Sequence, residues 1–151
     1  MKEAEDFFSE QLTKSANNGT KISIKRKRHL AGALIPYYCV FGVDKDTFIE
    51  YCKEIYKGGD DDEEDDSPPL FESMKMLVDS GSISRIVRIF YGKTVVMDIG
   101  DDELDFFAYV ESGPEFAFTN QVKIQPGEVC DFVIKTSSHW VKGMSLSIER
   151  E

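Results

Sequence analysis

Read from its start, the chain first spaces its apolar side chains as a helix does. Phe7, Phe8 and Leu12 fall on one side of a segment over residues 3–16, and Asn17, Asn18 and Gly19, which tolerate positive φ, bring it to an end. From Lys21 the period becomes two. Lys21, Ser23, Lys25 and Lys27 alternate with Ile22, Ile24, Arg26 and Arg28, the pattern of a half-buried strand with an entirely basic tail. Ala33 to Val43 is almost continuously apolar and predicts a second strand. Pro36 inside it points to an edge position or a bulge, because proline cannot donate to a ladder.

Helical spacing then returns twice. Asp46 is placed to cap a helix in which Phe48, Ile49, Cys52, Ile55 and Tyr56 share a face, with Gly58 just past its end. After an acidic run, Ser67-Pro68 starts a second helix carrying Leu70, Phe71, Met74, Leu77 and Val78, stopped at Gly81. Beyond Ile83 the pattern is all β. Arg85–Tyr91, Thr94–Ile99, Leu104–Glu111, Glu115–Ile124, Glu128–Thr136 and Met144–Glu149 are rich in β-branched and aromatic residues, and glycine-, proline- or aspartate-bearing turns separate them. The pattern predicts a β-rich α+β protein: an antiparallel β-sandwich of about eight strands with a two-helix insertion and a short N-terminal helix. Residues 1–151 form one domain in this reading, with 20–43 and 83–150 building the sandwich and 44–81 the insertion, whose loop 60–66 is acidic.

The stretches HLAGALIPYYCVFGV, GKTVVMDIG and FTNQVKIQPGEVCDFVIKT resemble small bacterial β-sandwich domains of the PEGA-like kind, which repeat strand, glycine turn, strand and a PGE or PGK turn. The resemblance covers Lys21–Val43 and Arg85–Glu149. The PEGA tetrapeptide itself is missing, and the helical segment interrupts the pattern. It implies a non-catalytic binding or structural module and assigns no functional residue.

Composition narrows the function classes. Net charge is −10, and the run Asp60, Asp61, Asp62, Glu63, Glu64, Asp65, Asp66 alone carries seven negative charges. Such a field repels phosphate backbones and anionic lipid, so nucleic acid and membrane surfaces are disfavoured, whereas a protein partner with a basic surface suits the run. Association with a second copy is left open. Three cysteines, Cys39, Cys52 and Cys130, stand in apolar stretches and read as reduced thiols of a bacterial, cytoplasmic protein. No signal-peptide pattern and no apolar stretch of membrane-spanning length is present.

Candidate chemistry is sparse. A Cys/His nucleophile would have to come from those cysteines with His29 or His139, the latter beside the lone Trp140, and thiols in apolar surroundings are inert. Counted as a calcium loop from Asp60, the acidic run puts Asp65 where glycine is needed and Phe71 where a bidentate glutamate is needed, so no metal and no cofactor is expected. Gly100–Asp105 reads as a hairpin turn whose aspartates bond their own backbone. Phosphate-cradling glycine loops and C-x-x-C pairs do not occur. Lys25, Arg26, Lys27 and Arg28 make a short basic patch. The expectation is a non-enzymatic interaction module whose partner-facing element is Asp60–Asp66. An acidic mimic of nucleic acid is the alternative, and a small-molecule enzyme the third reading.

Overall fold

Alternating strands bury one face each, and two such sets must close on each other. The computed structural model describes residues 2–14, 16, 18–27, 35–58, 70–112, 115–139 and 143–151. In chain order these form helix α1 (Lys2–Thr13), strands β1 (Lys21–Arg26) and β2 (Tyr37–Phe41), helices α2 (Lys45–Gly58) and α3 (Leu70–Asp79), and strands β3 (Arg85–Ile89) and β4 (Thr94–Asp98). A 3-10 turn at Asp101–Glu103 leads into β5 (Asp105–Ser112), β6 (Glu115–Phe118), β7 (Val122–Lys123), β8 (Val129–His139) and β9 (Gly143–Arg150). One sheet has the order β4-β1-β8-β9. The other has β3-β2-β5-β6, with β7 also on β5.

The fold is therefore a β-rich α+β sandwich. One pairing departs from the antiparallel expectation: β1 runs parallel to β8, Ile22 lying opposite Cys130 and Arg26 opposite Ile134, while β1 is antiparallel to β4. Period two fixes which face of β1 is buried but not the direction of its neighbour, so either pairing satisfies the pattern.

Between the sheets Ile22, Ile24, Cys39, Phe41, Phe106 and Phe132 form the main core. The three helices cover the far face of the second sheet, where Phe8, Phe48, Met74 and Leu77 meet Tyr38, Val40 and Phe107. Phe48 meets the rings of Phe107 and Tyr109 at centroid distances of 5.4 and 5.2 Å. Covered on both faces, β2 is buried at all five positions, which explains its unbroken apolar run. Pro36 stands just ahead of β2 rather than within it, and β2 is an interior strand. A proline there costs no ladder bond.

Helix α2 begins two residues earlier than expected. Asp44, not Asp46, is the cap: Thr47 donates its backbone N–H to Asp44 Oδ2 (3.1 Å) and its hydroxyl to Oδ1 (2.7 Å). Those bonds hold the Asp44 carboxyl below the ordinary carboxylate range. The turn between β2 and α2 depends on Gly42 at φ +86°, where a Cβ would lie 2.6 Å from Ser84 Cβ and 2.9 Å from the Asp102 carbonyl oxygen. Helix α3 ends at Gly81, with Ser82 N–H bonding back to Leu77 O. The Ser67-Pro68 start lies outside the described residues. The expected strand Glu115–Ile124 is two strands, because the side chains of Thr119, Asn120 and Gln121 bond elsewhere: to Ala108 N–H, to Ile148 and to Lys45 N–H.

Two side-chain amides tie the strand edges. Gln11 of α1 accepts the Ile86 N–H of β3 at 3.2 Å. Asn120 both donates to Ile148 O (3.1 Å) and accepts Ile148 N–H (3.0 Å), joining the second sheet to β9 as another strand would. At one end of the sandwich a bidentate ion pair is buried: Arg85 Nε and Nη2 donate to Glu103 Oε2 and Oε1 at 2.9 and 2.8 Å, the side chains being 1% and 6% exposed.

Candidate functional site

The sequence-predicted residues scatter. Asp60–Asp66, Arg28, His29 and Trp140 lie outside the described residues, and His139 closes β8. Of the basic patch, Lys25 and Lys27 are exposed, but Arg26 is not a surface residue. It sits on the inner face with Ile22 and Ile24, its guanidinium 3.6 Å from the Tyr37 ring centroid and its Nη1 donating to Ile89 O at 3.1 Å. A cation between the sheets is tolerated there because a ring face and a carbonyl replace water. The alternation of β1 had already put Arg26 on that face.

The cysteines do not converge. Cys39 is fully buried, and burial pushes its thiol far up; Cys52 and Cys130 are half-buried. Cys130 accepts Arg150 Nη1 at 2.9 Å, yet partial burial still raises its thiol. The Gly100–Asp105 segment also differs from expectation. Glu103, not the aspartates, bonds the turn, accepting Gly100 N–H at 2.9 Å, while Asp101 accepts from Asn18 and Asp102 from Ser84. A cavity of about 460 Å³ opens beside this turn, lined by Asp44, Asp101, Asp102 and Asp105. Three of these carboxylates already have partners, and among the described residues no group of three His, Cys, Asp or Glu is arranged to hold a metal ion.

The feature that sequence reasoning missed is a groove of about 490 Å³ between α1 and the β3–β4 turn. Helix α1 runs along the edge of β3, held by the Gln11 bond and by Lys14 Nζ donating to Ser84 O at 2.9 Å. Inner positions of β3 face the sandwich, so Arg88 and Phe90 emerge on the other side, beside α1. Leu12 and Val95 line the groove, with Glu5 and Ser9 on the helix rim and Lys93 at the turn. The Arg88 guanidinium lies between two rings, 4.4 Å from the Phe8 centroid and 4.8 Å from that of Phe90. Its Nε is buried with no hydrogen-bond partner, and Phe90 is 50% exposed. A stacked guanidinium keeps its in-plane donors free, because a ring face engages charge and not N–H direction. The signal in the sequence was an arginine and a phenylalanine two apart on a strand whose opposite positions are aliphatic.

The described residues thus define a two-sheet sandwich with helices on one face and a cationic, aromatic groove at its open side. No family model matches the chain, and no curated protein matches it. Among solved structures it is similar to the T6SS lipoprotein TssJ1 from Pseudomonas aeruginosa, with a TM-score of 0.43 and 9% identity over 87% of this chain and 95% of that one. Among the described residues no helix is long and apolar enough to cross a membrane.

Proposed function

We propose that the protein is a non-enzymatic interaction module that receives a protein partner in the groove between α1 and the β3–β4 turn. The observation that carries this reading is Arg88, held between Phe8 and Phe90 with a buried Nε–H that nothing satisfies, beside a phenylalanine left half in water. Phe90 is half exposed, so an occupant that covers it gains the burial of an aromatic face, and the Arg88 guanidinium beside it supplies a cation at the same place. Aromatic and arginine side chains together are what binding surfaces concentrate at their centre.

A photo-crosslinking phenylalanine analogue at position 90 tests the reading. In lysate of the source cells it should trap one discrete protein adduct, while the same group at the exposed position 129 on β8 should not give that adduct. No adduct at 90, or an identical pattern from both positions, refutes the assignment.

A further inference from the structure

The outermost strand of a sheet has a row of main-chain N–H and C=O groups with no neighbour to pair them, and this sandwich treats its edges unequally. On β3 the Ile86 N–H is taken by Gln11, and on β9 Ile148 is held by Asn120 through both main-chain groups. Strand β4, outermost in the first sheet, has no such cover. Its bonds to β1 run through alternate residues: at its two ends Ile99 N–H donates to Thr20 O at 3.1 Å and Lys93 O accepts Arg26 N–H at 3.0 Å. With Thr94 to Asp98 in unbroken antiparallel register on β1, the main-chain groups of Thr94, Val96 and Asp98 point the other way, out of the sheet's edge. Among the described residues none of those groups meets another strand or a side chain. The usual guards are missing from Thr94–Asp98 too, which contains no proline, no lysine and no bulge, and Val96 at its centre is 66% exposed.

The same strand forms a wall of the groove. Lys93 and Val95 line it together with Phe8, Ser9 and Leu12 of α1. A chain laid against the edge of β4 sends alternate side chains to the face that Val95 occupies, which is the groove side, while its main chain meets Thr94, Val96 and Asp98. Resting on the binding reading above, we infer that the partner enters as a β-strand: an extended protein segment, apolar at alternate positions, that adds to the first sheet beside β4 and lays those side chains against Leu12 and Phe90. What is left unsatisfied sets the class of the occupant. A free ladder edge accepts a main chain of any sequence and supplies affinity, and the apolar wall beside it selects side chains two residues apart. A helix has already spent its main-chain groups on itself, and a nucleic acid has none at the spacing of a strand, so neither satisfies the row.

The test is selection of phage-displayed random peptides of about twelve residues on the full chain, then amide exchange followed by NMR with a synthetic peptide of the enriched sequence. The consensus should be apolar at every second position. The peptide should slow exchange at the Thr94, Val96 and Asp98 N–H groups by about tenfold or more, leaving Val95 and Met97, already bonded to β1, little changed. Val96→Pro removes the outward donor without touching a bond to β1 and should weaken the peptide about tenfold, whereas Val96→Thr, which keeps the donor, should stay within about threefold. If Val96→Pro does not fold, the exchange pattern of the unsubstituted chain decides alone. A consensus of helical spacing, a bound peptide that leaves the three amides unprotected, or undiminished affinity in folded Val96→Pro overturns strand addition, while the adduct at position 90 remains the separate measure of the binding reading. Protection of the three amides in the free chain at twice the monomer mass overturns it in favour of a second copy. A selection that enriches no sequence also overturns it, and with no adduct at position 90 both readings fall.

Discussion

The buried pair Arg85–Glu103 is where a single charge change should be felt most. Both groups are almost fully out of water, Arg85 spends two donors on the carboxylate, and its Nη1 is buried with no partner. Glu103→Gln keeps the shape and removes the charge, leaving the guanidinium desolvated and uncompensated, a loss of about 3–5 kcal/mol. Against a total stability of about 5–15 kcal/mol that is a large share, and for a chain of this length it lowers Tm by roughly 6–20 °C. The pair itself is poorly compensated, given the orphaned Nη1, so replacing both partners by apolar residues should be far milder than replacing one. Arg85→Met with Glu103→Leu removes both charges and loses only the Gly100 N–H bond of Glu103, a cost of about 1 kcal/mol. Urea unfolding followed by circular dichroism on wild type, Glu103→Gln, the single variants Arg85→Met and Glu103→Leu, and the double variant measures the cycle. The double variant should sit within about 2 kcal/mol of wild type. If Glu103→Gln costs less than about 1 kcal/mol, or the double variant costs the sum of the singles, the argument from desolvation fails.

Two further outcomes follow from the edges of the sheets. Asn120→Ala strips Ile148 of both its side-chain bonds and should cost about 1–3 kcal/mol; Asn120→Asp, which keeps the acceptor but not the donor, should not restore it. Amide exchange at Ile148 should quicken in Asn120→Ala, which removes the acceptor of its N–H, and unchanged protection there would count against the latch. Glu128 is held at a pKa of about 2 against an ordinary 4.5, chiefly by the hydrogen bond from Arg150 and next by Gln125 N–H. Because the folded value is depressed, its stabilisation is complete above about pH 4.5 and fades as pH falls towards about 2. The melting difference between wild type and Glu128→Gln should therefore narrow across that window, and a constant difference would contradict the assignment.

Much of the architecture was legible because burial has a period. Ile22 and Ile24 mark the inner face of β1, the solid apolar run of β2 marks a strand covered twice, and Phe48 and Met74 mark the helix faces that cover it. What period cannot encode is adjacency. The parallel partner of β1 lies more than a hundred residues away, the groove joins an N-terminal helix to β3 and β4, and Asp44 rather than Asp46 caps α2 by a difference of side-chain aim. Arg26 shows the converse. Its charge suggested a patch, while the alternation of its strand had already placed it inside. Arg88 and Phe90 gained meaning only when the helix from residues 2–13 was seen to pass beside them.

The pairing of β1 bears on how the chain is made. Its neighbours are residues 94–98 and 129–134, so at a synthesis rate of about 5–20 residues per second Ile22 and Ile24 emerge from the ribosome roughly 5–20 s before β8 exists to cover them. The helix-covered sheet, whose β2 and β3 are nearer in sequence, can assemble during that interval. The nascent N-terminal strand is then the stretch most in need of a chaperone, and the sheet bearing the lysines closes last.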